Sequence, residues 1–162
     1  MLFVGELRKW VSGAPCVLVG GSLVEFFTGG QYVSGDIDLI GDRDAIGKAL
    51  VSAGFEREGR HFTRDDLHLF VEVPKADLRA GERTTIIEFE DRPVEVVSLE
   101  DLIVDRLLAA KFWASRTDRE QAILLLAAHA DRLDRARLKA RARVENVEDE
   151  LASLAALLGD TG

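Results

Sequence analysis

The sequence predicts an α+β fold: a mixed sheet flanked by helices, followed by a helical C-terminal third. Three observations lead there. Short apolar or alternating runs interleave with helical patterns over the first two thirds of the chain, and no proline follows Pro93 to interrupt the last third. The 162 residues are 47% hydrophobic and 31% charged, an ordinary globular composition. A chain of this length buries roughly 70% of the surface its unfolded form exposes, so it needs neither a disulfide nor a structural metal. The pattern implies an α/β core over residues 1–115 and a helical extension over 116–162 packed on it as one domain.

The elements follow in order. Leu2 to Val11 is amphipathic, Ser12-Gly-Ala-Pro15 reads as a turn, and Cys16-Val-Leu-Val19 is a continuous apolar run suited to a buried strand. Gly20-Gly21 breaks that run. Ser22-Leu-Val-Glu25 has the form of a capping box, which predicts a short helix from Ser22 that ends before Gly29-Gly30. Gly35 to Ile40 alternates with the period of a half-buried strand, and a helix is expected from Asp44 to Ala53, stopping at Gly54. Strands are expected over Phe55–Arg57, Leu67–Val73, Thr84–Glu90 and Val94–Val97, with Asp91-Arg-Pro93 as a tight connection. Ser98-Leu-Glu-Asp101 is another helix start, opening an apolar-striped helix to about Trp113. Two further helices are expected, Asp118–Ala130 and Leu133–Leu158.

Composition narrows the function classes. Lys+Arg 21 against Asp+Glu 29 leaves a net charge of -8, which argues against a general nucleic-acid coat while permitting a local basic patch. The lone Cys16 has no partner for a bridge, and His61, His68 and His129 lack metal-ligand spacing. No apolar stretch approaches the roughly 18 to 20 residues of a membrane span, and charged residues stand where a signal peptide would continue its apolar core. A cytoplasmic protein is expected. The basic run Arg132, Arg135, Arg137, Lys139, Arg141 and Arg143 lies on several sides of a helix and is followed by Glu145, Glu148, Asp149 and Glu150. That block pattern fits a solvated helix or a self-pairing homodimer interface better than a grip on RNA phosphates. Leu151, Leu154, Leu157 and Leu158 form an apolar stripe that packs on the domain or on a second subunit.

The chemistry concentrates in Val19-Gly20-Gly21-Ser22 and in Asp36-Ile37-Asp38-Leu39. Successive strand side chains point to opposite faces, so Asp36 and Asp38 share one face with Cα atoms ~6–7 Å apart. Paired carboxylates repel unless a cation lies between them, and Mg²⁺ prefers such ligands together with phosphate oxygens and water. Two glycines between strand and helix let a ligand approach the backbone, and the amides of the helix start suit a triphosphate, with Ser22 Oγ a further donor.

In order and spacing, Gly20-Gly21-Ser22 followed by Asp36-x-Asp38 resembles the signature of the DNA polymerase β-like nucleotidyltransferase superfamily. Ser98-Leu-Glu-Asp-Leu-Ile-Val-Asp-Arg-Leu-Leu-Ala109, with Arg116-Thr-Asp118, is similar to a segment of its small prokaryotic members, the minimal nucleotidyltransferases and the abortive-infection type toxins. The resemblance covers about residues 15 to 120 and implies a nucleotidyltransferase-like fold. It also implies transfer of a nucleoside monophosphate from an NTP to a hydroxyl acceptor, whether a tRNA end, a protein as in toxin-antitoxin systems, or a small molecule. On this reading Gly20, Gly21 and Ser22 hold the phosphates, Asp36 and Asp38 bind Mg²⁺, and Arg106 and Lys111 add positive charge toward the nucleotide. The family carries a third carboxylate, usually Asp, between hydrophobic residues, which completes the metal site and can act as base toward the attacking hydroxyl. Val71-Glu72-Val73 and Val94-Glu95-Val96 both match, and Glu72 is favoured because the alternation of Leu67–Val73 turns it away from the apolar row. The alternative implied is an interaction or regulatory protein that keeps the fold with little or no turnover.

Overall fold

A computed structural model describes residues 2–11, 13–89 and 92–159. Its first part comprises α1 (Leu2–Trp10), β1 (Cys16–Val19), α2 (Gly20–Phe27), β2 (Asp36–Gly41), α3 (Arg43–Ser52), β3 (Glu56–Glu58), β4 (His61–Arg64), β5 (Leu69–Glu72), β6 (Thr84–Phe89) and β7 (Arg92–Val97). The remainder is helical: α4 (Leu99–Phe112), α5 (Arg116–Ala128), α6 (Arg135–Val144) and α7 (Glu148–Leu157). The chain divides into two compact units between Val97 and Ser98, so α4 groups with the three helices that follow it.

All seven strands of the first unit form one sheet in the order β3-β4-β5-β2-β1-β7-β6. The sheet is mixed. β1 runs antiparallel to β2 and parallel to β7, β2 runs parallel to β5, and hairpins add β3, β4 and β6 at the two sides. Alternation decides which side chains leave water. Leu18, Leu39, Phe62, Val71 and Val96 sit in matched registers and are almost wholly buried, as are Ile46 and Leu50 of α3, which lies against β3 and β4. Asp42 caps α3 by accepting from the amides of Asp44 and Ala45 at 2.8 and 3.0 Å, and these bonds hold its carboxyl below the usual carboxylate range. Half-burial, with Glu95 nearby, pushes the Cys16 thiol up and so disfavours its reactive thiolate.

Several elements differ from the sequence expectation, each for a local reason. The short helix begins at Gly20 rather than Ser22, and no capping box forms: the N-cap position falls on Val19, whose side chain makes no cap bond, and Glu25 accepts from the Ser34 amide at 2.9 Å. The strand expected over Leu67–Val73 is shorter. A 3₁₀ turn takes Asp65–Leu67, and His68 adopts φ 52° to close it, so β5 begins at Leu69. The strand His61–Arg64 goes unread in the sequence because its alternation spans only four residues. Of the expected tight connection, Asp91 lies outside the described residues, as do Glu90 of the expected strand and Ser12 of the first turn. Arg92 and Pro93 belong to β7, where Pro93 sits near the strand's start and away from the point at which β7 meets β1.

In the helical unit, α4 packs on α5, α6 and α7, and Leu102, Ile103 and Leu107 of α4 are almost wholly buried, as are Leu125 of α5 and Ala142 of α6. The single helix expected over Leu133–Leu158 is two. Asn146 takes φ 59° and the amide of Val147 donates back to the Ala142 carbonyl at 2.8 Å, the backbone pattern that ends a helix with a left-handed residue. Ser98 caps α4 as expected, accepting from the Asp101 amide at 3.2 Å. The Asp101 carboxylate, 1% exposed, accepts from the Ser98 hydroxyl at 2.7 Å, from Arg141 Nε at 2.8 Å and from Arg137 Nη2. Burial works against the Arg141 charge, but the bonds to Asp101 and Glu145 outweigh it and raise its pKa. Two arginines of the basic run are thus committed to one buried acid. Removing that acid takes a buried charge partner from both, although Arg141 keeps Glu145 at 2.9 Å, so Asp101→Ala is expected to lower the unfolding free energy by about 3 kcal/mol in urea titration. A loss below about 1 kcal/mol would show that water, not Asp101, satisfies them.

Candidate functional site

The strand β2 is sorted by burial as its sequence requires: Ile37 and Leu39 are 6% and 1% exposed, whereas Asp36 is exposed and Asp38 half-buried. Both acids project from one face. Asp38 stands opposite Val19 on β1 and opposite Glu72 on β5, and Glu72 in turn stands opposite His61 on β4. Four strands therefore carry Val19, Asp38, Glu72 and His61 in one row. Val19 ends β1, and the chain turns at once into α2, so the start of that helix rises beside Asp38.

The turn is built around the acid. Gly20 has φ +73°, and a Cβ placed there would lie 2.0 Å from Asp38 Oδ2 and 2.9 Å from Asp38 Cβ. Only glycine permits both the left-handed backbone and that approach. A Cβ on Gly21 would lie 2.7 Å from Ser34 Oγ, so the loop leading into β2 closes on the second glycine as well. Ser34 braces this loop by donating from its hydroxyl to the Asp36 carbonyl at 3.0 Å, while Glu25 holds the Ser34 amide. The N-cap position of α2 is Val19, whose side chain makes no cap bond, and the first amides of a helix have no partner within the helix itself. Ser22 Oγ, at the third position of α2, is buried and has no hydrogen-bond partner among the described residues. A buried hydroxyl without a partner is costly, and its place in the first turn of a helix with a positive end suits an anion.

Glu72 is held differently. Its Oε1 lies 2.9 Å from Arg60 Nε, and its Oε2 lies 3.9 Å from His61 Nδ1, with the carboxylate about one fifth exposed. The Asp36 carboxylate has no partner among the described residues. The rival third acid, Glu95, is exposed on β7, which β1 separates from β2, and it accepts from the Thr84 hydroxyl at 2.7 Å. Glu72, not Glu95, is therefore the acid in register with Asp38. Arg106 donates to Asp118 at 2.7 Å, to Asp105 at 2.5 Å and to Gln121 at 3.2 Å, and Lys111 donates to the Asn146 carbonyl at 2.5 Å and to Glu150 at 3.2 Å. Both cations expected to face a nucleotide are engaged inside the helical unit.

Among the described residues no group of three or more His, Cys, Asp and Glu is set to hold a metal ion. The donor set nonetheless fits Mg²⁺. That ion is commonly held by one or two carboxylates with phosphate oxygens and water completing its shell, and Asp36 and Asp38 supply two carboxylates beside an open helix start. Sequence reasoning missed Arg60 and took His61 as an ordinary position. The signal was faint: Gly59-Arg60-His61 looks like any charged hairpin until the register of β4 on β5 brings it to Glu72.

A mixed sheet with a glycine turn and an acid-bearing neighbouring strand, followed by a helical unit, is a nucleotidyltransferase-like fold. The chain is similar in structure to an antigenic nucleotidyltransferase-like protein from Paracoccidioides brasiliensis, with a TM-score of 0.60 and 16% identity over 94% of this chain and 89% of that one. It is also similar to the antibiotic-resistance factor ANT(2'')-Ia, with a TM-score of 0.55 and 20% identity over 98% of this chain and 94% of that one. No protein-family model matches the sequence, and no curated protein matches it. The likeness at these identities is one of fold.

The contact between Gly20 and Asp38 is open to a direct test. Gly20→Ala must strain the backbone and displace the carboxylate, and is expected to cost at least about 1 kcal/mol of unfolding free energy. Urea titration that finds the variant as stable as the parent would show that the turn does not close on Asp38.

Proposed function

We propose that the protein is a metal-dependent nucleotidyltransferase, moving a nucleoside monophosphate from an NTP to a hydroxyl acceptor. One observation carries the reading: the helix start at Gly20, with the buried Ser22 hydroxyl unpartnered among the described residues, abuts the carboxylate of Asp38. Anion donors and anionic cation ligands are rarely useful side by side unless one ligand, a metal-bound polyphosphate, engages both. The acceptor on this proposal is a tRNA, a protein or a small molecule.

Each residue has a task in the transfer. The amides of Gly20 and Gly21 and the hydroxyl of Ser22 bind the β and γ phosphates and hold the leaving pyrophosphate in line with the attacking oxygen. Asp36 and Asp38 would hold Mg²⁺, which supplies neutralising charge at the phosphate oxygens. Glu72, next to Asp38 in the row, takes the proton of the acceptor hydroxyl as its oxygen bonds to the α phosphorus and the bond to pyrophosphate breaks. Arg106 and Lys111, already ion-paired, are assigned no phosphate contact.

A second reading, an interaction protein that binds nucleotide with little turnover, draws on one observation. Glu72 stands where the resembling family usually has Asp, and its carboxylate is taken up by Arg60. The readings part at pyrophosphate release, which the first requires and the second lacks. Both require the acids. In calorimetry with each NTP and Mg²⁺, Asp36→Asn with Asp38→Asn is expected to weaken binding at least about a hundredfold, since each lost charged ligand removes a bond of roughly 1.5–3 kcal/mol. Chelation of the metal is expected to do the same to the parent protein. Binding unchanged in the double variant would remove the acids from the site.

A further inference from the structure

The third acid of the row presents a contradiction that Arg60 resolves. Register places Glu72 beside Asp38 on adjacent parallel strands, ~4.8 Å apart, on the face that carries Asp36. Three carboxylates so placed should gather around a common point, yet no three-acid group is set for a metal among the described residues. The side chain of Glu72 is engaged instead toward the opposite neighbour, β4, where Arg60 meets it at 2.9 Å. Arg60 sits at the tip of the β3–β4 hairpin, next to Gly59, and its carbonyl accepts from the Val73 amide at 3.1 Å, which fixes the hairpin tip beside the end of β5. The Arg60 side chain is about half exposed, and Glu72 is its ion-pair partner among the described residues. An arginine free to swing into water, closed on an acid next to two others, competes with any cation that approaches those acids.

We propose that Arg60 is a positioning residue of the site: it holds Glu72 away from Asp36 and Asp38 until a divalent cation displaces it. This rests on the reading of Asp36 and Asp38 as metal ligands. The exchange makes no covalent bond and moves no proton, because the guanidinium keeps its charge throughout. Its effect is to make metal binding tighter when Arg60 is absent and to make that gain depend on Glu72. His61 lies on the same carboxylate at 3.9 Å but lacks the short contact, so it takes no part in the exchange.

The test uses Mn²⁺ alone, counted by electron paramagnetic resonance of the free ion, with the folded state of each variant checked by circular dichroism. Arg60→Ala is expected to tighten Mn²⁺ binding about two- to fivefold, the strength of a partly exposed ion pair, and Arg60→Lys to stay near the parent. In a Glu72→Gln background Arg60→Ala is expected to change nothing, which a general loss of positive charge would not reproduce. Equal or weaker binding in Arg60→Ala, or the same gain with and without Glu72, overturns the inference. Asp36→Asn with Asp38→Asn tells the two failures apart: if Mn²⁺ binding survives that pair, the metal-site reading itself falls, and if it is lost while Arg60→Ala has no effect, Arg60 alone is misassigned.

Discussion

The arrangement depends on the absence of one methyl group. Gly20 leaves β1 with a left-handed backbone and lets the carboxylate of Asp38 rest where a Cβ would be, 2.0 Å from its ideal position. Everything at the site follows from that approach. It sets the first turn of α2 against the second strand beside an acid, and buries Ser22 Oγ with no hydrogen-bond partner among the described residues. Any other residue at this position must push the helix start and the acid apart, and with them the two halves of an anion and cation site.

Folding supplies the rest of the geometry through strand register. A slip of one residue between β1 and β2 would turn Asp36 and Asp38 into the core and bring Ile37 and Leu39 out. The burial of Leu18, Leu39, Val71 and Val96 therefore fixes the direction of the acids. The helical unit solves a separate problem. Its buried Asp101 gathers Arg137 and Arg141, which explains why a basic run in an acidic protein need not be a surface for nucleic acid. Arg143, on the surface, pairs with Glu148 at 2.8 Å. Among the described residues no helix is long and apolar enough to cross a membrane.

What the sequence made legible was local. The apolar run Cys16–Val19, the alternation around Asp36 and Asp38, and the cap at Ser98 are signals written within a few residues, and each element formed where it was expected. Ser22 was misread because Ser-x-x-Glu has two uses: the residues fit a capping box, but Gly20 can itself begin the helix, which moves Ser22 inward and frees Glu25 for the Ser34 loop. The preference for Glu72 over Glu95 came from alternation along Leu67–Val73, part of which a 3₁₀ turn replaces; the position of Glu72 next to Asp38 is a matter of strand order, which no single segment encodes. Arg60 was invisible for the same reason. Its meaning depends on a hairpin tip meeting the end of a strand 12 residues later in the chain.

The central claim is that one metal-bound triphosphate touches the glycine turn and the acid strand together. Amide spectra of the labelled protein, titrated with Mn²⁺ and each of the four ribonucleoside triphosphates, test it most directly, since the ion broadens only nearby signals. The account predicts that Gly20, Gly21 and Ser22 broaden along with Asp36, Ile37 and Asp38, and that the first group does so only when nucleotide accompanies the metal. Broadening confined to one group with both ligands present, or centred elsewhere in the chain, would contradict it.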